Sequence, residues 1–520
     1  MAVTLQKVAT ELGLFTILHA PRDVHVIFLT RFLRMLAYGG VSLILAMYFS
    51  ALGFTDVRIG LFMTLTLLGD VLISLLLTLT ADGIGRRRTL LIGSGSMLLS
   101  GAVFALGSNY WLLLIAAVIG VISVSGNEIG PFRAVEESTL AGLAGEEGRA
   151  DVFAWYVVVG TFGSAMGLTG AGWIVEGLKK QVGWEELDAY RVLFWLYALI
   201  GLVKGALTFF LSPHCEVHGY QPVEGRSSAP EPADQSERDG FLAADRVLED
   251  GDGDGQPLPP ASSAPTPPPK KSKIGLGQLF ARTQDRKDFT LLKLCLLFAV
   301  DSLASGMVPY SLINFYVDRK FHMPKSTVGN IMSATWIMSS IGNIFASAIS
   351  KRIGLVKTMV FSHLPSAIFL MLLPTPRVVW LTVVILIGRG TLASMDQAPR
   401  SAFLSKVIQA EERTAVMGIV NVVKTLSQSS GPTFTGMLAG ENRFWVAFVV
   451  AGALKSLYDL GMLAMFLRLE KEVGQSPARD SIRLQEEATR ADLGDEFDFT
   501  DDEDYRTEET GKAQRQSSGI

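Results

Sequence analysis

The chain has 520 residues, of which 49% are hydrophobic and 18% charged, and its mean hydropathy is +0.34. An ordinary soluble domain carries about 25% charged residues, so this composition argues against a soluble enzyme. The net charge of −4 provides no basic surface for nucleic acid. Cys215 and Cys295 are the two cysteines, too few for a disulfide framework or a four-ligand zinc site, and we expect no metal and no cofactor. The class that remains is a protein that crosses the membrane many times.

The apolar segments predict an all-α membrane protein of twelve transmembrane helices. Residues 1–23 lack the features of a signal peptide and are expected to form a cytosolic N-terminus. Apolar windows of about 20 residues, the length that crosses the hydrocarbon core, then fall into two clusters of six. Strands would have to close into a barrel and would be shorter and strictly alternating, so the spans are helices. The predicted spans are 24–50, 59–80, 89–107, 110–131, 152–176, 190–211, 289–316, 327–349, 357–374, 378–398, 414–439 and 443–467.

Two polar segments flank the second cluster. Residues 212–286 separate the bundle at 24–211 from the bundle at 287–467, and their proline, serine and aspartate content predicts a disordered cytosolic linker. Residues 468–520 are acidic and are predicted to form a disordered cytosolic tail.

Loop charges predict the orientation in the membrane. The loop after the second span holds Arg86, Arg87 and Arg88, and the loop after the eighth span is also basic. Basic short loops favour the cytoplasmic side, which places both termini and the linker in the cytoplasm. Arg319, Lys320 and Lys325 fall on the predicted outer side and disagree with this orientation, although Asp318 lies beside them. The membrane itself is either the plasma membrane or the vacuolar membrane.

The two clusters look like copies of one another. Ile84-Gly85 follows the second span and Ile353-Gly354 follows the eighth, and each glycine precedes a threonine by four residues. Glu128 near the end of the fourth span and Asp396 near the end of the tenth each stand three residues before a proline. Three such matches in the same order indicate an internal repeat. Two parallel six-span halves would place a transport pathway between them.

The segment Asp82-Gly83-Ile84-Gly85-Arg86-Arg87-Arg88-Thr89-Leu90 resembles the signature loop of the major facilitator superfamily. That loop reads Gly, three residues, Asp, Arg, one residue, Gly, two basic residues, two further residues, and Leu or Ile. Here Thr78 replaces the first glycine and Gly83 replaces the first arginine. With the span count and the central loop, the resemblance covers residues 24–467, and the chain is similar to fungal members. It implies two six-helix pseudo-repeats that alternate in access.

The resemblance also implies a gating role for the signature loop. Asp82 would accept hydrogen bonds from backbone amides after Gly85, while Arg86 and Arg87 would pair with acids in one access state. Basic loops can also serve orientation alone, which is the alternative. At the inner end of the fourth span, Glu128 and Arg133 are expected to form a gate network.

Ionisable side chains inside the spans are the candidates for the substrate or proton pathway. A charge at the bilayer centre costs about 2.5–3.5 kcal/mol, so such a side chain faces a cavity or a partner. Arg34 and Asp70 lie at similar depths, either as a neutralising pair or as functional groups. Asp301 has no evident local partner, which favours its protonated form and makes it a candidate for proton or substrate handling; a carboxylate beside a water-filled vestibule is the alternative.

Three further candidates lie in the last spans. Arg389 and Asp396 share one helical face, and Arg389 is expected either to anchor an anionic group of the substrate or to pair with a neighbouring helix. Lys424 lies in the eleventh span. Lys455 and Asp459, four residues apart in the twelfth span, are expected to pair with each other.

The pattern predicts a secondary active transporter of a small solute, with the lipid bilayer and protons as its other partners and no nucleic acid. Proton-coupled export of organic compounds is the leading interpretation. Uptake of a nutrient or an organic anion is the alternative within transport, and a membrane sensor that no longer transports is the alternative from another class. No phosphate-binding Gly-x-x-x-x-Gly-Lys motif is present, and the six histidines are scattered, so neither ATP-driven transport nor a membrane enzyme is favoured.

Overall fold

The computed structural model describes residues 14–120, 122, 124, 131–144, 149–215, 288–396, 399–400, 403 and 413–465. Within these ranges the chain is helical. The helices are α1 (Leu14–Leu18), α2 (Arg22–Ala51), α3 (Asp56–Ile84), α4 (Arg86–Leu106), α5 (Tyr110–Ile119), α6 (Pro131–Leu143), α7 (Arg149–Lys179), α8 (Glu186–Phe209), α9 (Asp288–Met307), α10 (Tyr310–Phe321), α11 (Lys325–Ile353), α12 (Leu355–Leu372), α13 (Val379–Ser394), α14 (Arg413–Gly440) and α15 (Phe444–Met465), with a 3-10 turn at Pro213–Cys215.

The helices confirm the twelve predicted spans. Among the described residues, seven helices are long and apolar enough to cross a membrane, and the bent pair α9–α10 forms an eighth span. Helices α5 and α13 are shorter apolar helices that supply the fourth and tenth spans. Helices α11 and α14 are long but rich in serine, threonine and asparagine, and each packs against a helix of the opposite half.

Two spans differ from the prediction because they are not continuous helices. The fourth span, expected at 110–131, ends its first helix at Ile119, and α6 begins only at Pro131. The seventh span, expected at 289–316, bends by 42° between Met307 and Tyr310 and continues to Phe321. Pro309 lies at this bend, where a residue without a backbone N–H interrupts the helical hydrogen bonds.

The predicted linker and tail fall almost entirely on residues 216–287 and 466–520, which lie outside the described residues, as does most of the N-terminal segment 1–23.

Local geometry supports the internal repeat. Gly85 separates α3 from α4, and Gly354 separates α11 from α12, with φ angles of +96° and +93°. In each half the threonine four residues later donates its hydroxyl to the glycine carbonyl, Thr89 at 2.9 Å and Thr358 at 2.7 Å. Across the two halves α3 packs on α14 and α7 packs on α11. A shift by six spans exchanges these two pairs, as a pseudo-twofold axis requires.

The halves contact one another through glycines at one end of the bundle, which we call the closed end. A Cβ added at Gly60 would collide with the carbonyl oxygen of Pro432, and one added at Gly172 would collide with that of Lys325. The pseudo-equivalent glycines meet main chain in the same way: Gly329 meets Leu168, and Gly436 meets Asp56. The two backbones therefore touch here without side chains between them.

Ion pairs surround the closed end. Arg319 donates to Asp56 of the other half at 2.8 Å. Lys325 lies 3.2 Å from Glu186 of the other half and 2.5 Å from Asp318. The basic residues Arg319 and Lys325, which disagree with the predicted orientation, therefore pair with acids from both halves.

Candidate functional site

The N-terminal half contains a buried ion pair that we call the first charge cluster. The guanidinium of Arg34 donates to both carboxylate oxygens of Glu136, at 2.8 and 2.6 Å, and both side chains are 1% exposed. The hydroxyl of Tyr156 donates to Glu136 at 2.7 Å. Lys204 of α8 and Arg31 of α2 also act electrostatically on this carboxylate. The cluster ties α6, the helix that follows the broken fourth span, to the first, fifth and sixth spans.

The C-terminal half contains a second charge cluster. The carboxylate of Asp301 accepts from Lys455 at 2.9 Å and from Arg400 at 2.9 Å. His363 shares a hydrogen bond of 2.9 Å with Asp459, and its other ring nitrogen lies 3.9 Å from Asp301. Arg400 also pairs with Asp396. Buried charges survive in such a place only when they are paired in this way.

The two clusters occupy equivalent places with opposite polarity. The first span of each half provides Arg34 in one case and Asp301 in the other, and the segment after the fourth or tenth span provides Glu136 or Arg400. The last span of each half provides a lysine, Lys204 or Lys455. The paired groups of each cluster come from one half, so the halves can move as bodies without breaking these ion pairs.

Asp70 lies apart from both clusters. It is 3% exposed in the middle of α3, and among the described residues it forms no hydrogen bond and no ion pair. Tyr197 is close enough to interact electrostatically with both Asp70 and Arg34, and its hydroxyl approaches the carbonyl of Gly120 at 3.4 Å. Asp70 therefore lies near Tyr197, whose hydroxyl approaches the residue at which the first helix of the fourth span ends.

The two broken spans meet near the centre of the bundle, in a region that we call the central chamber. Ser311, beside the bend of the seventh span, donates to the carbonyl of Val124 in the interrupted fourth span. One turn later Asn314 donates to the carbonyl of Ser42 in the first span at 3.0 Å. In discontinuous transporter helices, such breaks expose backbone polar groups to a substrate.

Arg389 of α13 reaches this chamber. Its side chain is 9% exposed and interacts with the hydroxyl of Tyr310, the first residue of α10. The ring of Tyr310 packs against that of Trp336 from α11, with centroids 5.3 Å apart and planes 35° from parallel. Among the described residues no carboxylate forms an ion pair with Arg389. The tenth, seventh and eighth spans thus provide a buried guanidinium beside two aromatic rings.

The remaining predicted residues are placed as follows. The backbone of Asp82 lies in α3 and its side chain lies outside the description, as does the whole of Glu128. Arg87 donates to the carbonyl of Phe209 at the end of α8 in its own half, and Arg86 lies near Gly142. Arg133 pairs with Glu137 on the exposed face of α6. The ammonium of Lys424 lies 5.6 Å from the ring centre of Phe298 and interacts electrostatically with Asp301, Asp396 and Arg400.

The structure corrects three expected pairings. Asp301, expected to have no partner, is held by two cations. Lys455 and Asp459 were expected to pair with each other. Instead Lys455 donates to Asp301, and Asp459 shares a hydrogen bond with His363. Asp301 and His363 are buried on neighbouring helices, where they need a counter-charge. Arg34 pairs with Glu136 rather than with Asp70.

Three members of the clusters were not found in the sequence. Glu136 lies beyond the predicted end of the fourth span, and Arg400 lies just beyond that of the tenth, so both looked like residues of polar loops. His363 looked like one of several scattered histidines. The repeat itself could have found Glu136 and Arg400. The first spans of the two halves carry opposite charges, Arg34 and Asp301, so charges of the opposite sign to each are expected at equivalent places after the fourth and tenth spans. Among the described residues there is no group of histidine, cysteine, aspartate and glutamate that could hold a metal ion.

Comparisons with known proteins agree with this architecture. The family model of the Major Facilitator Superfamily matches residues 27–282 and 294–498. The chain is 33% identical over 457 residues, 87% of its length and 96% of the relative's, to the uncharacterised membrane protein YJR124C of Saccharomyces cerevisiae. Its fold is similar to a mutant of the nucleoside transporter NupG, with a TM-score of 0.62 and 15% identity over 86% of this chain and 100% of that one. It is also similar to the inward-open xylose transporter XylE of E. coli, with a TM-score of 0.58 and 13% identity over 85% and 96% of the two chains.

Proposed function

Because the chain belongs to the Major Facilitator Superfamily and is a membrane transporter, we propose that it carries a small organic solute by alternating access and couples this movement to protons. Asp70 is the proposed protonation site. The observation that carries the proton coupling is the burial of this carboxylate without a charged partner among the described residues. Because members of this family are carriers, we propose a transport role for the chain and no enzymatic one.

The cost of burying a charge supports this role for Asp70. An ionised carboxylate without a partner at the bilayer centre costs about 2.5–3.5 kcal/mol on insertion scales, so the burial of Asp70 favours its protonated form. A state that hydrates Asp70, or turns Arg34 towards it, would release that proton. Asp301 is a weaker candidate than the sequence indicated, because Lys455 and Arg400 already neutralise its charge.

The contacts between the halves support alternating access. Described residues that join the halves lie at the closed end, as Gly60 and Gly172 do, or near the centre, as Asn314 does. The basic segments 86–88 and 351–357, which join the second span to the third and the eighth to the ninth, lie at the opposite end. With the predicted orientation, the closed end faces away from the cytoplasm, which supports our proposal of a state that opens to the cytoplasm.

The direction of transport and the membrane follow from an experiment on cells. Metabolites retained or lost on deletion of the protein identify the solute, and fluorescent tagging identifies the plasma or vacuolar membrane. Retention on deletion supports export of an organic compound, the direction that we propose, and reduced uptake supports the alternative. Absence of counterflow of the identified solute in proteoliposomes would leave only the membrane sensor.

Proton coupling is tested in proteoliposomes with the solute so identified. Addition of solute to the wild-type protein is expected to dissipate an imposed pH gradient. Asp70→Asn is expected to abolish the proton flux while preserving counterflow, and Asp70→Glu is expected to retain both. Asp188→Asn, which changes a carboxylate 48% exposed at the start of α8, is the control. Proton flux in Asp70→Asn equal to that in the control would remove Asp70 from the coupling.

A further inference from the structure

From the central chamber we infer the class of solute: an organic anion that carries a flat, unsaturated ring. Arg389 binds the anionic group, and Tyr310 and Trp336 provide the surface on which the ring packs. The inference rests on the proposed transport function, but it concerns binding, and it needs no assumption about protons.

The charge of Arg389 is the first step of the argument. Its side chain is nine-tenths buried, and an arginine guanidinium keeps its proton in a protein. Its hydrogen-bond partner is the neutral hydroxyl of Tyr310. Among the described residues of the C-terminal half, the other buried cations, Lys325 and Lys455, pair with carboxylates, and so does the less buried Arg400. Arg389 is thus the buried cation whose counter-charge is missing from the described part of this half, and a bound anion would supply it.

The aromatic pair is the second step. Tyr310 and Trp336 are only half-buried, so part of each ring is left uncovered by the described residues. A tilted aromatic pair that is only partly covered favours a flat ring over an aliphatic group. The guanidinium lies against the hydroxyl of Tyr310, so the two recognition elements are adjacent, and one ligand with an anionic group attached to its ring contacts both.

The position of the site in the fold is the third step. Tyr310 begins α10 immediately after the bend of the seventh span, and Ser311 touches the interrupted fourth span of the other half. The first turn of a helix carries a partial positive charge, which adds to that of Arg389. A ligand held here would lie between the two halves, where it can bias their relative movement.

Binding is tested with matched probes on the full-length protein purified in lipid nanodiscs. Benzoate carries the charge and the ring, benzamide lacks the charge, and cyclohexanecarboxylate lacks the aromatic ring. The apparent melting temperature is followed over a concentration series of each probe. Benzoate is expected to stabilise the protein with an affinity about two- to tenfold above that of cyclohexanecarboxylate, the range of an aromatic contact, and benzamide is expected to have no effect.

Variants identify the residues responsible. Arg389→Gln is expected to weaken benzoate binding by about tenfold or more, the scale of a charged hydrogen bond. Trp336→Leu is expected to remove the preference for benzoate over cyclohexanecarboxylate while it leaves the preference for benzoate over benzamide. Arg443→Gln, which changes a cation 67% exposed and outside the chamber, is expected to behave as the wild type. If Arg389→Gln does not fold, Arg389→Lys preserves the charge and is expected to bind benzoate more weakly than the wild type.

The outcomes separate this inference from the proposed function. Three outcomes would overturn the inference. They are equal stabilisation by benzoate and benzamide, no stabilisation by any aromatic anion, and unchanged benzoate binding in Arg389→Gln. Proton-coupled transport of a neutral solute would also overturn it while the proposed function stands. Specific benzoate binding with no proton flux in transport assays would leave the inference in place and refute proton coupling.

Discussion

The buried ion pair between Arg34 and Glu136 gives the most sharply defined prediction for stability. Glu136→Gln removes the counter-charge of a guanidinium that is 1% exposed, and the same carboxylate also serves Tyr156 and Lys204. Removing one partner of a fully buried ion pair costs about 3–5 kcal/mol, because the remaining charge is left uncompensated. We expect a loss of this size in the free energy of unfolding.

The assay is unfolding by SDS in mixed micelles, followed by tryptophan fluorescence. Glu137→Gln is a matched control on the same helix, since its pair with Arg133 is 45% and 20% exposed for the two side chains. Exposed pairs at this helical spacing contribute about 0.3–0.5 kcal/mol. The double variant Arg34→Met/Glu136→Gln is expected to recover part of the lost stability, but not all, because Lys204 keeps its charge. Equal losses in Glu136→Gln and Glu137→Gln, or no recovery in the double variant, would refute the reasoning.

Three further predictions concern the closed end and the second charge cluster. Gly172→Val is expected to push the halves apart, whereas Gly170→Val is not, because the space beside Gly170 is open. Cysteines introduced at positions 173 and 330, which lie in contact across the halves, report this separation: their disulfide formation should fall in the Gly172 variant alone. Asp301→Asn is expected to cost about 3–5 kcal/mol in the unfolding assay and Asp301→Asn/Lys455→Met to recover part of it, and wild-type stability of the single variant would contradict the pairing. Arg319→Gln is expected to weaken closure by about 0.2–1 kcal/mol, a difference that high salt should remove from the same cross-linking readout.

The fold could be predicted largely from the sequence, because hydrophobic length and the repeat are local signals. The apolar windows identified the helices, and the repeated Ile-Gly segments pointed to geometry that Gly85 and Gly354 indeed share. The interruptions of the fourth and seventh spans could not be predicted in the same way. A window average treats residues 110–131 as one apolar run and does not detect a helix that ends at Ile119 within it.

The candidate site was predicted as single residues but not as pairs. Arg34, Asp301 and Arg389 were identifiable because a charge inside an apolar span is rare. Their partners depend on which helix faces which, and that is a property of the packed bundle. Glu136 and Arg400 lie just beyond the predicted ends of their spans, so only the fold shows that they are buried beside the first spans.

The contact of main chain with main chain at the closed end also limits which substitutions this end can accept. At Gly60 and Gly172 a single methyl group would already collide with a carbonyl oxygen of the opposite half, so even alanine is too large for either position. The same holds at the pseudo-equivalent Gly329 and Gly436, so none of the four glycines can gain a side chain without parting the two halves.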